Sequence, residues 1–291
     1  MTIRYPARAG SFYDASPDAC RRHVQQMLSE ANVPDDLPTP RYGGIVPHAG
    51  WAFSGTLACR TFKALSEAAE IRTFVLFGAD HTGTAAQGEL FDAGAWQTPL
   101  GEIPIDEDLA SDILDAAGSV RANPSVHAHE HSLEVQVPII QVLCPEASIL
   151  PLAVAPGDIA VHVGREVGAI LADRAGKEVA VVGSTDLTHH GGHFPAPGGR
   201  GDVGEQWTAD NDARMIGLME TLDADAVIPE ANEHRNACGS GAIAATLSAC
   251  RELGAEKGRL LEYTNSYRIM RQLAPGRSDD TTVGYASMVF V

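Results

Sequence analysis

The sequence predicts an α/β fold, and three observations carry that prediction. Short β-rich apolar runs alternate with helix-patterned segments along the chain, as strands separated by crossover helices do. Three of those runs each deliver a histidine at the same relative place. They are Gly43–Val46 before His48, Thr73–Gly78 before His81, and 179–183 before Ser184-Thr185-Asp186-Leu187-Thr188-His189. Ligands and catalytic groups gather at the carboxyl ends of strands in an open α/β sheet, so this repetition suits the architecture. Finally, no linker is long enough to divide the 291 residues, which leaves one large domain or two closely fused lobes.

Taken in order, residues 17–31 read as a helix, with Ser16 as its cap and Pro17 at its first position. The proline-rich stretch Pro34 to Pro40 is a connector before the strand Gly43–Val46. Gly55–Ala69 reads as a helix and 73–78 as the next strand. Within 89–105, Leu90-Phe91-Asp92 and Trp96 to Gly101 suit short strands or a hairpin at the rim. Asp106–Ala117 reads as a helix, and His131–Leu143 as another with Pro138 near its first turns. A strand at Ser148–Ala153, a helix at 158–173 and the strand at 179–183 follow. Gly191 to Gly204 is rich in Gly and Pro, the composition of a mobile loop or lid. Asp210–Thr221 and Ala237–Leu253 read as helices, and Leu260–Tyr263 and Val283–Val291 as terminal strands.

Composition narrows the function. A 44% hydrophobic and 20% charged chain suits a compact soluble domain. The net charge of -17 repels phosphate backbones and anionic membranes, and no dense Lys/Arg run offsets it, so neither nucleic acid nor membrane is expected as a partner. The N-terminus lacks the pattern of a signal peptide, which points to the cytoplasm. Five scattered cysteines (Cys20, Cys59, Cys144, Cys238, Cys250) fit reduced thiols better than a disulfide framework.

Metal binding is the first chemical reading. His48 and His81 follow successive strands, and Cys238 lies in Asn236-Ala237-Cys238-Gly239-Ser240-Gly241, a glycine-rich approach to a helix N-terminus that favours thiolate. Two imidazoles and one sulfur with open positions suit iron(II), copper or zinc. Each residue alone is better read as a satisfied turn or core residue, and it is their joint placement at element boundaries that favours a site. General acid/base work is the second reading, because Asp186 stands three residues before His189 and could orient its ring. Asp186 could equally cap the following turn. A third cluster runs from His127 to Glu134, where His131 and Glu134 would share one helical face toward a cleft. It is not His-Glu-x-x-His, and neither Gly-x-Ser-x-Gly, a Walker loop nor a dinucleotide glycine motif is found, although a Cys238/His189 nucleophile pair stays open.

The chain resembles the Memo family, also labelled AmmeMemoRadiSam system protein B, which is similar in fold to class III extradiol ring-cleaving dioxygenases. Carrying the resemblance are Arg8-Ala9-Gly10-Ser11-Phe12-Tyr13, Val46-Pro47-His48-Ala49-Gly50, His131-Ser132-Leu133-Glu134, Ser184 to His189, Cys238-Gly239 and Val283-Gly284-Tyr285-Ala286. It implies one three-layer α/β/α domain over residues 1–291 with a mixed, largely parallel central sheet. It also implies iron or copper on His48, His81 and Cys238, with Asp186 and His189 as acid and proton-transfer histidine. Phe12, Trp51 and Phe53 would line an aromatic pocket. Gly78-Ala79-Asp80-His81 departs from the usual pattern by placing a carboxylate beside the ligand. The expected function is iron(II)- or copper-dependent, dioxygenase-like oxidation of a small aromatic or catechol-like substrate, with no organic cofactor. The rival is a non-catalytic adaptor that grips a peptide or a partner from a radical-enzyme system.

Overall fold

The computed structural model describes residues 2–172, 178–275 and 280–291. The chain begins with β1 (Ile3–Arg4), α1 (Pro17–Glu30), β2 (Gly43–Val46), α2 (Trp51–Ser66) and β3 (Thr73–Gly78). The short strands β4 (Gly88–Leu90), β5 (Ala95–Thr98) and β6 (Gly101–Pro104) lead to α3 (Glu107–Ala116), β7 (Val120–Ala122) and α4 (Val137–Leu143). Next come β8 (Ser148–Val154), α5 (Ile159–Leu171), β9 (Val179–Ser184) and β10 (His189–His190). Last are α6 (Asp202–Glu220), α7 (Ala224–His234), α8 (Ser240–Glu252), β11 (Gly258–Asn265), α9 (Ser266–Leu273) and β12 (Thr282–Phe290).

The main sheet runs β10-β12-β2-β9-β3-β8-β4-β7, with β11 also paired to β12. Its centre, β2-β9-β3-β8, is parallel, while β12 and β4 pair antiparallel on either side. Those central strands are apolar and almost wholly buried, as strands covered on both faces must be. Consecutive glycines of β2 locate the two helical layers. A side chain at Gly43 would strike Cys250 of α8, and one at Gly44 would strike Thr61 of α2. Successive strand residues face opposite sides, so α2 and α8 cover opposite faces and the arrangement is α/β/α. The hairpin β5-β6 pairs with β1 in a separate small sheet, as expected for Trp96 to Gly101, but Leu90, expected at the rim, is buried in β4 between β8 and β7 of the main sheet. No helix among the described residues is long and apolar enough to cross a membrane.

Several boundaries differ from the sequence reading, each for a physical reason. Helix α2 starts at Trp51 rather than Gly55, because Gly50 takes the cap position and Trp51 buries its ring in the core. The stretch expected as one helix from His131 becomes a short 3₁₀ turn, Glu134–Gln136, followed by α4. Pro138 has no N–H to donate to Glu134 and fits only the first turn of a helix. Helix α6 begins at Asp202, inside the predicted loop, where Asp202 and Glu205 are held by Tyr267, Arg268 and Arg271 of α9. Helices α7 and α9 were not predicted. Pro229 inside α7 disguises it, and α9 is a single short amphipathic element. The predicted helix 158–173 is α5, and its last predicted residue, 173, lies outside the described residues.

Candidate metal centre

Parallel register brings the strand ends level. Val46 pairs with Ser184, and Phe77 with Gly183, so β2, β3 and β9 stop at one edge of the sheet. The loops after them place His48, His81, Asp186 and His189 on the wall of one cavity of about 650 Å³. Gly239 and Gly241 let the start of α8 press against the backbone beyond β9 and β8, and this close approach brings Cys238 to the same wall. His131 arrives from the turn before α4. The ligand nitrogens of His48, His81 and His131 lie within 4.8 Å of one another. Their rings confirm the crowding: His81 stacks on His131 at 4.7 Å between centroids, and His48 stands edge-on to His81 at 5.1 Å.

Hydrogen bonds fix which nitrogen of the His48 and His81 rings carries a proton away from the cluster. The Ser184 hydroxyl donates to the Ser132 carbonyl at 2.7 Å, so toward His48 Nδ1, 3.1 Å away, it can only accept. His48 therefore carries its proton on Nδ1 and presents an unprotonated Nε2, which lies 3.2 Å from Cys238 Sγ. Burial, reinforced by His81 and His131, holds His48 well below the ordinary histidine range and keeps it neutral. His81 donates Nδ1–H to Glu130 at 3.0 Å. Burial opposes charge on His81, yet hydrogen bonds to Cys238 and Glu130 outweigh it and push the pKa up to about 10. Burial and the neighbouring His81 charge push His131 down to about 4. The three imidazoles thus carry one positive charge between them, and it sits on His81.

Asp186 and His189 divide their work differently from the sequence expectation. Asp186 accepts the backbone N–H of His48 at 2.7 Å, and that of Ala49, and burial raises it to about 7. The His189 ring is turned instead by the Leu187 carbonyl, 3.0 Å from Nδ1, which leaves Nε2 free. Cys238 N–H donates to the Asp186 carbonyl and Asp186 N–H to Cys238 Sγ, so thiol and acid are tied through backbone. Burial raises the Cys238 thiol, against the thiolate expected from its helix-start position.

A profile of the Memo-like protein family matches residues 4–289. The chain belongs to the Memo family. It is 36% identical to a MEMO1 family protein of Thermococcus kodakarensis over 302 residues, covering 99% of each chain. A MEMO1 family protein of Methanopyrus kandleri is 34% identical, over 99% of this chain and 98% of its own, and one of Caldivirga maquilingensis is 30% identical over 100% and 99%. Against this Memo framework the remaining expected residues can be placed. Phe12 and Phe53 line the cavity, joined by Phe194 and Tyr285. Trp51 and Glu134 do not. Trp51 is buried with its indole N–H on the Val135 carbonyl, and Glu134 is 1% exposed, bound to Arg4, Tyr13 and the N–H groups of Ala7 and Arg8. Glu134 misses the cleft because His131 precedes the Glu134–Gln136 turn rather than sharing a helix with it, and the carboxylate turns instead to the N-terminal segment. Asp80 turns away into its own loop, accepting from Thr82 and Ala85. The sequence reading gave no role to Glu130 or Ser184. An acid between two histidines, His129-Glu130-His131, was the available signal for the first; nothing local marks the second.

Proposed function

We propose that this Memo-family chain is an iron- or copper-dependent oxidoreductase with a dioxygenase-like site, acting on a small aromatic or catechol-like substrate. The observation that carries the reading is the convergence of three imidazole nitrogens within 4.8 Å at the strand ends. The donors suit such an ion, because imidazole and thiol are borderline to soft ligands and His48 already offers a bare nitrogen. His48, His81 and His131 would hold it, with Cys238 as the neighbouring sulfur donor. When bound, the ion would supply a Lewis-acidic, redox-active centre beside the substrate.

The chain's own residues do the rest. Phe12, Phe53 and Phe194 give flat apolar walls that accept an aromatic ring and displace water. His189 is kept neutral by burial, and with Nδ1–H spent on Leu187 its Nε2 can take a hydroxyl proton from the substrate and later return it. Asp186 keeps the His48 loop in place through two backbone N–H groups. Oxygen-uptake assays on a panel of catechols, with protein purified anaerobically and loaded with iron(II) or copper, test the proposal. Substrate-dependent uptake that falls at least tenfold in His189→Ala supports it; bound metal with no uptake across the panel favours a binding or adaptor role.

A further inference from the structure

Glu130 belongs to no element's hydrophobic face and is only 2% exposed. Removing a carboxylate from water costs several kcal/mol unless donors replace the water, and here four N–H groups do. Oε2 accepts from His81 N at 2.7 Å; Oε1 accepts from His81 Nδ1 at 3.0 Å, His131 N at 2.7 Å and Ser132 N at 2.8 Å. One side chain therefore grips the backbone of two clustered histidines and the ring of one. Its own carbonyl is anchored in turn by Arg4 Nη2 at 2.7 Å, inside the buried Arg4–Glu134 pair.

Resting on the metal-site reading above, we infer that Glu130 is the positioning residue of the centre: it pins the His81 proton on Nδ1 so that Nε2 faces His48 and His131, and it sets the spacing of His81 and His131. Three consequences follow from the chemistry. A carboxylate behind a ligating imidazole fixes ring orientation and raises the ring's basicity. A buried negative charge one ring away from the cluster also offsets part of a divalent ion's charge, which the neutral His48 and His131 do not. Glutamine cannot replace glutamate without loss, since every partner of Glu130 is an N–H donor and an amide NH₂ would face one of them. The same carboxylate explains the stacked, 24° alignment of the His81 and His131 rings, because both backbones hang from it.

Zinc alone, as a diamagnetic probe, tests this on the full chain. Isothermal titration of the parent and of Glu130→Gln is expected to give a zinc affinity about 10–100-fold weaker in the variant. Imidazole nitrogen NMR of the zinc-loaded parent should show His81 bound through Nε2, with a slowly exchanging Nδ1–H. This second readout needs no variant and stands even if Glu130→Gln fails to fold. Equal affinity in parent and variant, or His81 bound through Nδ1, overturns the inference. A parent that binds no zinc, iron(II) or copper overturns the metal-site reading instead, and a metal-free spectrum with the His81 Nδ1–H still slowly exchanging then keeps the Glu130 contact while removing its purpose.

Discussion

At the scale of single residues, protons and metal compete for the same atoms. His81 holds its proton up to about pH 10 in the metal-free chain, so an ion taking Nε2 must displace it. Metal affinity should tighten by about tenfold per pH unit between pH 7 and 9, read by competition with a chromophoric chelator; a flat profile would place the ion elsewhere. Cys238 bears on selectivity rather than presence of metal. Cys238→Ser replaces a soft donor with a hard one and should move the copper-over-iron preference toward iron, measured by competitive loading. Asp212 offers a separate check away from the cluster. Burial pushes it up to about 7 even though Thr188 N–H and Tyr263 OH donate to it. Its carboxyl is protonated in both folded and unfolded chains below about pH 4. As pH rises toward 7 the unfolded form ionises first, and the folded state loses stability across that window. The shift corresponds to on the order of 4 kcal/mol. Asp212→Asn should therefore gain in melting temperature relative to the parent between pH 5 and pH 8, and a constant difference would contradict the assignment.

Elements place those residues, and they do so through close backbone approaches. Gly164 of α5 lies against the Ala245 carbonyl of α8, where a side chain would collide with backbone. Gly164→Ala should cost ~1–3 kcal/mol by forcing the two helices apart, visible in chemical denaturation, with α8 carrying Cys238 away from His48. The Arg4–Glu134 pair, 2.6 Å long and almost fully buried, fastens the N-terminal strip that bears Phe12. Arg4→Ala strips the buried Glu134 of its counter-ion and should cost ~3–5 kcal/mol, read by chemical denaturation; an unchanged midpoint would contradict it. The sequence showed strands β2, β3, β8 and β9 clearly because unbroken apolar runs bounded by Gly or polar residues have few alternatives. It hid α7 and α9 because a proline inside one and the shortness of the other defeat periodicity, and their place is set by tertiary contacts such as Tyr267 on Asp202.

For the whole molecule, topology turns separate sequence signals into one site. His48 and His81 were legible because each follows a strand, and a parallel sheet lines up strand ends. Glu130, Ser184 and the Leu187 carbonyl were not, since their roles depend on which ring nitrogen meets which acceptor, a matter of ångströms that spacing does not encode. His131 was legible as a pocket residue but not as a neighbour of His48 and His81, because its helix was misread. The net charge of -17 favours capture of a cation and should make its association rate fall as salt rises, followed by stopped-flow. The most direct test of the central claim is anomalous X-ray scattering from crystals of iron- or copper-reconstituted protein. A single strong peak within coordination distance of His48, His81 and His131, lost in His48→Ala, is the predicted result. A chain that crystallises with no peak among those imidazoles under saturating metal would contradict it.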